Sequence, residues 1–218
     1  MHFLDAWAEL SPLDVVRLLG PLGLLLISTV VPGHKVARVA ALTVAIAIPF
    51  LRELAAPPLL VLGWMALWSL LVFLPPEPDE AASRPLAQGR GVVESGAVGL
   101  LLALALGLLL FTAVARQDMS SEETRRASLG AAFLVVGLLH LMLRRHIRRA
   151  LVGFTTLGLG LQFLDGAAQG AQLAPSARTG TGVLLGAWLA VILGLRIAAA
   201  RARHAGTAWV GDAHDLHD

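Results

Sequence analysis

Hydrophobic residues run in long blocks, broken by short clusters of proline, glycine and charge. Seven blocks stand out, at 15–32, 36–51, 57–74, 94–115, 127–143, 150–173 and 179–200. Most approach the ~20 residues a helix needs to cross the hydrocarbon layer, and none shows the ~10-residue alternation of a transmembrane β-strand. The pattern predicts an all-α, polytopic transmembrane bundle with seven spans. Prolines bracket the blocks: Pro32-Gly33 closes the first, Pro57-Pro58 opens the third and Pro75-Pro76 closes it. At helix starts and ends the missing N–H costs least. Pro21 and Pro49 fall inside blocks, and each predicts a kink where a freed carbonyl must be satisfied within the protein.

Polar punctuation divides the chain. Residues 75–91 (PPEPDEAASRPLAQGRG) read as a loop. In 116–126 (RQDMSSEETRR), Ser120 precedes Glu123 by three residues, a capping box that starts the helix leading into the fifth block. The division is into a four-span half, 1–115, and a three-span half, 116–218. The first residues (MHFLDAWAELSPLD) carry acids instead of a basic leader, so no cleavable signal is expected, and Trp7 suggests a short interfacial helix.

Composition removes the competing classes. Apolar residues make up 56% and charged residues 15%, against about 25% charged in soluble domains. Mean hydropathy is +0.74. Disorder requires the opposite balance. There is no cysteine, hence no disulfide, no cysteine-ligated cluster and no thiol nucleophile. A net charge of +2 argues against a nucleic-acid partner. Lys35 is the single lysine, and eleven cations fall on the side of the C-terminus against six on the other. The bias predicts the N-terminus outside and the C-terminus cytoplasmic, with the basic turn Arg144, Arg145, Arg148 and Arg149 as its strongest signal. The expected location is a prokaryotic inner (plasma) membrane.

Ionisable and polar groups inside spans are the candidates for chemistry, because lipid makes them costly. Three qualify as a proton path or as polar contacts: His140 near the cytoplasmic end of span five, and Gln162 and Asp165 toward the outer end of span six. Each also has a structural reading, as a hydrogen-bonded histidine, interhelical glue and a solvated helix end. Thr155 and Thr156 can bond their own backbone carbonyls and need no further role. Gly182 and Gly186, four apart in span seven, are candidates for helix packing. Retinal would need a lysine in the last span, and none is there. The HDLHD tail lacks zinc spacing, and no nucleophile triad, P-loop or dinucleotide glycine motif occurs. No catalytic residue, metal or cofactor is expected.

The run LGAAFLVVGLLHLMLRRHIRRALVGFTTLGLGLQFL (129–164) joins two spans through a tight basic turn. It resembles hydrogenase-4 component E, a membrane subunit of formate-hydrogenlyase-type complexes. More distantly, the C-terminal half is similar to the K subunit of complex I and the C subunit of multisubunit Na⁺/H⁺ antiporters. The resemblance covers about 110–218; over 1–109 it is one of hydropathy alone. It implies a small membrane subunit beside larger antiporter-like subunits of an ion-translocating complex. It also implies midplane acids that this chain lacks. Thr155 or Gly158 stands at one expected position and Gly182 at the other. The expectation is a subunit that mainly braces its partners, with any residual relay running through Gln162, His140 and water. Two other classes stay open: an independent small transporter or channel, and a quinone- or haem-binding anchor of a redox enzyme.

Overall fold

The computed structural model describes residues 5–31, 34–54, 56–74, 91–117, 119–143, 147–170 and 179–205. Every regular element among them is helical. A four-residue helix α1 (Asp5–Ala8) precedes α2 (Pro12–Val30) and α3 (His34–Ala47). Two 3₁₀ turns, Ile48–Phe50 and Arg52–Leu54, lead to α4 (Pro58–Phe73). The remainder is α5 (Gly91–Arg116), α6 (Ser121–Leu143), α7 (Ile147–Gly170) and α8 (Thr179–Ala205).

The local signals act where the sequence places them. Ser120 Oγ accepts the Glu123 amide at 3.3 Å, and Glu123 Oε2 accepts the Ser120 amide at 3.0 Å, closing the capping box of α6. Ser11 caps α2 by accepting the Asp14 amide at 3.2 Å. Pro49 does not kink a long helix. The α-helix stops at Ala47 and tightens into a 3₁₀ turn around the proline, which removes the need to satisfy a displaced i−4 carbonyl. By contrast α2 continues through Pro21, which is buried.

Each of the seven blocks therefore forms a helix, but the lengths differ from expectation. Five helices, α2, α5, α6, α7 and α8, are long and apolar enough to cross a membrane. The second and third blocks yield shorter helices of 14 and 16 residues, because Pro49 and Pro57-Pro58 consume the ends of both. Large apolar side chains such as Leu59, Phe73, Leu101 and Leu108 are exposed. An apolar exterior of that extent suits lipid and not water.

Contacts between distant residues fix the directions. Ser28 at the end of α2 meets His140 at the end of α6. Arg38 at the start of α3 donates to the Leu74 carbonyl after α4. Glu53, between α3 and α4, lies 3.9 Å from Arg125 at the start of α6. Successive helices thus alternate between two ends: an α1 end, which holds Glu53 and Arg125, and a His140 end.

The centre of the bundle is the α6–α7 seam. An added Cβ at Gly137 would come within 2.8 Å of the Leu157 amide and 3.0 Å of the Gly153 carbonyl. One at Gly160 would lie 2.9 Å from both the Gly130 carbonyl and the Leu134 amide. Only glycine permits backbones this close. Phe133 and Phe163 stack beside the seam, centroids 5.5 Å apart. α4 closes the interior from the other side. Its Gly63 accommodates Leu184 of α8, and Trp64 reaches Gly158 of α7. Contacts of α2 with α6, and of α4 with α7 and α8, tie the two halves of the sequence together.

Candidate functional site

Two separate polar clusters occupy the interior. Gly130 facing Gly160 and Gly137 facing Gly153 set the register, so Gln162 stands level with residue 128. His140 lies twelve residues beyond that, ~18 Å along the axis. The structure brings Gln162 and Asp165 together and leaves His140 far from both.

At the His140 end, His140 is 2% exposed. Its Nε2 lies 2.9 Å from Ser28 Oγ, and its Nδ1 lies 3.2 Å from the Val136 carbonyl. Ser28 Oγ also donates to the Leu25 carbonyl at 2.7 Å. A carbonyl only accepts, so Nδ1 carries a proton when that bond is made. With Nδ1 protonated and the imidazole neutral, Nε2 accepts, and the one Ser28 proton is shared between Nε2 and the Leu25 carbonyl.

Nearer the α1 end, Gln162 is 3% exposed, and its Oε1 accepts from Trp64 Nε1 at 3.4 Å. An added Cβ at Gly180 would meet Gln162 Nε2 at 2.6 Å and Asp165 Oδ2 at 3.3 Å. The first turn of α8 therefore presses its backbone onto this pair. Asp165 is half-buried and accepts from Gln169 Nε2 at 2.7 Å. It sits five residues before the end of α7, ~8 Å along the axis. The described parts of α6, α7 and α8 hold three acids: Asp165 and, in the first turn of α6, Glu122 and Glu123. None is at the middle of its helix. Thr155, at one position where the resemblance implies an acid, and its neighbour Thr156 donate to the carbonyls of Leu151 and Val152 at 2.9 and 2.6 Å.

The α1 end is held by Arg125, whose side chain is 14% exposed. It donates to the Ala6 carbonyl at 2.9 Å and lies within 3.9 Å of Glu9 and Glu53. Arg126 pairs with Glu122. These arginines thus bind protein, and Arg125 fastens α1 and the α3–α4 connection onto α6.

Among the described residues nothing packs against Gly182 and Gly186; an added Cβ at either meets no atom within 4 Å. The buried face of α8 runs instead through Leu184, Ala187, Val191 and Ala198, turned away from the two glycines by the 3.6-residue period. Of the basic turn, Arg144 and Arg145 lie outside the described residues, as does the HDLHD tail. Arg148 and Arg149 fall in the first turn of α7.

Sequence reasoning missed Ser28, Trp64, Gly180 and the Glu53–Arg125 pair. The adjacent Ser28-Thr29 near the end of an apolar block is a signal for the first. The others depend on tertiary register. No group of three or more metal-ligating side chains occurs among the described residues. Comparison with protein-family models, curated proteins and solved structures gives no match.

Proposed function

We propose that the chain is a small bracing subunit of a complex-I-like or energy-converting-hydrogenase-like assembly in a prokaryotic inner membrane. It crosses the bilayer seven times, N-terminus outside, and packs beside larger antiporter-like subunits. The observation that carries the reading is the contrast between the interior and the outer face of α6–α8. Inside, glycine-mediated contacts hold the helices at van der Waals distance, and Ser28, His140, Thr155, Thr156 and Gln162 are hydrogen-bonded to one another, to Trp64 or to backbone, while Trp68 Nε1 of α4 is buried with no hydrogen-bond partner among the described residues. Outside, Gly182 and Gly186 form an unfilled notch on α8. Only 22% of the spanning stretch of α8 is buried, against 67% for α7. A small-xxx-small notch lets a second helix approach closely in lipid.

The seven-span reading draws support from the alternating directions. α3 with its following 3₁₀ turn reaches ~27 Å, and α4 ~24 Å, close to the thickness of the hydrocarbon layer. An odd number of spans suits the arginine bias, which favours a cytoplasmic C-terminus.

The absence of a mid-helix acid from α6–α8 supports bracing over ion relay, because a relay needs titratable groups at depth. The separation of His140 from Gln162 and Asp165 points the same way. Affinity purification through a tag on this chain, followed by mass spectrometry, tests the proposal. Recovery with large antiporter-like membrane subunits is expected. Isolation as a homo-oligomer with transport activity of its own would overturn it.

A further inference from the structure

Charged residues bound the apolar stretches of α2 and α3 closely. α2 carries no charge beyond Arg17, and ~21 Å along the axis separates Arg17 from the C-cap Val31. α3 carries no charge beyond Arg38, and ~20 Å separates Arg38 from Phe50 along the helix and its 3₁₀ turn. Arg52 and Glu53 follow at once. The two helices pack side by side in opposite directions. Arg17 therefore lies at the same end as Arg52, and Val31 at the same end as Arg38. The shared lining of one chamber by Arg17, Phe50, Arg52 and Glu53 puts the charges at the α1 end level with one another.

These ends have little room to stretch. Glu53 lies 3.9 Å from Arg125 of α6, and Arg38 is spent on the Leu74 carbonyl at the end of α4. Arg17 reaches outward to Asp14 at 3.5 Å, and the stem of such an arginine adds about 5 Å to the span. α5 is different. It carries no charged residue over 95–115, ~30 Å of helix, and packs mainly on α6. A hydrocarbon layer of ordinary thickness, ~30 Å, thus suits α5 and exceeds the α2–α3 pair by about 5–10 Å. Val30, Val39, Leu42 and Ile46 are exposed on that flank, so nothing among the described residues covers it. Tilting relieves a helix that is too long, and only shortens the reach of one that is too short. Drawing the arginines into hydrocarbon is costly. A thinner lipid layer satisfies both helices at once.

We propose that the α2–α3 flank is a lipid-facing surface that holds the bilayer beside it to ~20–25 Å of hydrocarbon, while α5 meets the full thickness. Its partner is the acyl-chain layer, whatever the headgroup. The proposal rests on the reading that α3 crosses the membrane, and is independent of the assembly to which the chain belongs.

The chain has no cysteine, so nitroxide labels on single cysteines test it in the full chain. Val39→Cys, Ile46→Cys and Phe50→Cys are placed in phosphatidylcholine vesicles with monounsaturated acyl chains of 14 or of 18 carbons. Collision with oxygen against a water-soluble nickel chelate reads the depth of each label. The expected result is Val39→Cys and Phe50→Cys at headgroup level and Ile46→Cys in hydrocarbon, at the same depths in both lipids. A layer left at ordinary thickness would put the two end labels ~5 Å below the headgroups in the 18-carbon lipid, and that shift overturns the proposal. So does an Ile46→Cys label shielded from oxygen. Crossing by α3 is read separately, from an impermeant maleimide applied to Lys35→Cys and Arg52→Cys in intact cells and in inverted vesicles. Reaction from opposite faces is expected. Reaction from one face refutes the crossing and the thinning with it, whereas opposite faces with the ~5 Å shift refute the thinning alone.

Discussion

His140 and Ser28 are joined by a 2.9 Å contact across 112 positions of sequence, and the bond fastens the end of α6 to the end of α2. Both residues are nearly inaccessible, so a lost partner is not replaced by bulk water. Ser28→Ala is expected to destabilise the chain by about 1 kcal/mol, the cost of one buried hydrogen bond lost. Adding His140→Leu to Ser28→Ala removes the nitrogen that faced Ser28, and part of that loss should return. Thermal unfolding in detergent for the single and double variants measures the difference.

The seam glycines and the notch glycines should respond oppositely. Gly137→Ala or Gly160→Ala pushes a methyl group into backbone closer than 3.0 Å. Each is expected to cost about 1–3 kcal/mol by overpacking. Gly182→Ala and Gly186→Ala meet open space and should leave the isolated chain unchanged or up to about 1 kcal/mol more stable, through helix propensity. Melting temperatures of the four variants decide the matter.

What was legible in the sequence was mainly local. Ser120 and Glu123 are three residues apart, and their cap needs nothing from the rest of the chain. Thr155 and Thr156 likewise find their acceptors one turn away. Seven apolar blocks correspond to seven helices, but two are only 14 and 16 residues long, because a proline acts on geometry that hydropathy does not weigh. The site was less legible. Gln162 and Asp165 were visible as polar residues in an apolar run, yet their shared neighbour Gly180 arises from the way α8 returns against α7. Gly182 and Gly186 were recognisable as a packing motif. Whether such a motif faces inward depends on helix rotation, and the buried stripe of α8 turned them out.

Arg125 gathers three segments, so its loss should loosen them together. Arg125→Met leaves Glu53, itself 12% exposed, without its facing cation. The ion-pair distances approach 4 Å, and the expected destabilisation is accordingly about 1–3 kcal/mol. Hydrogen exchange should rise in residues 5–10 and 52–54 before it rises in the α6–α7 seam. Uniform acceleration across the chain would instead assign Arg125 a global role.

If the notch on α8 receives a partner helix, bulk there should break assembly and spare the fold. Gly182→Leu with Gly186→Leu is expected to keep the melting temperature of the isolated chain within about 1 kcal/mol of the original in stability, while recovery of large membrane subunits in affinity purification falls. Unchanged recovery would place the partner on another face, such as the exposed side of α5.

The difference between bracing and pumping is sharpest at Asp165, the single acid of α7. Asp165→Asn keeps the shape and the bond from Gln169 while removing the titratable proton. Ion translocation per turnover, measured on the assembled complex in proteoliposomes, is expected to be the same with Asp165→Asn as with the native chain. A fully assembled complex whose translocation collapses with that one substitution would contradict the account.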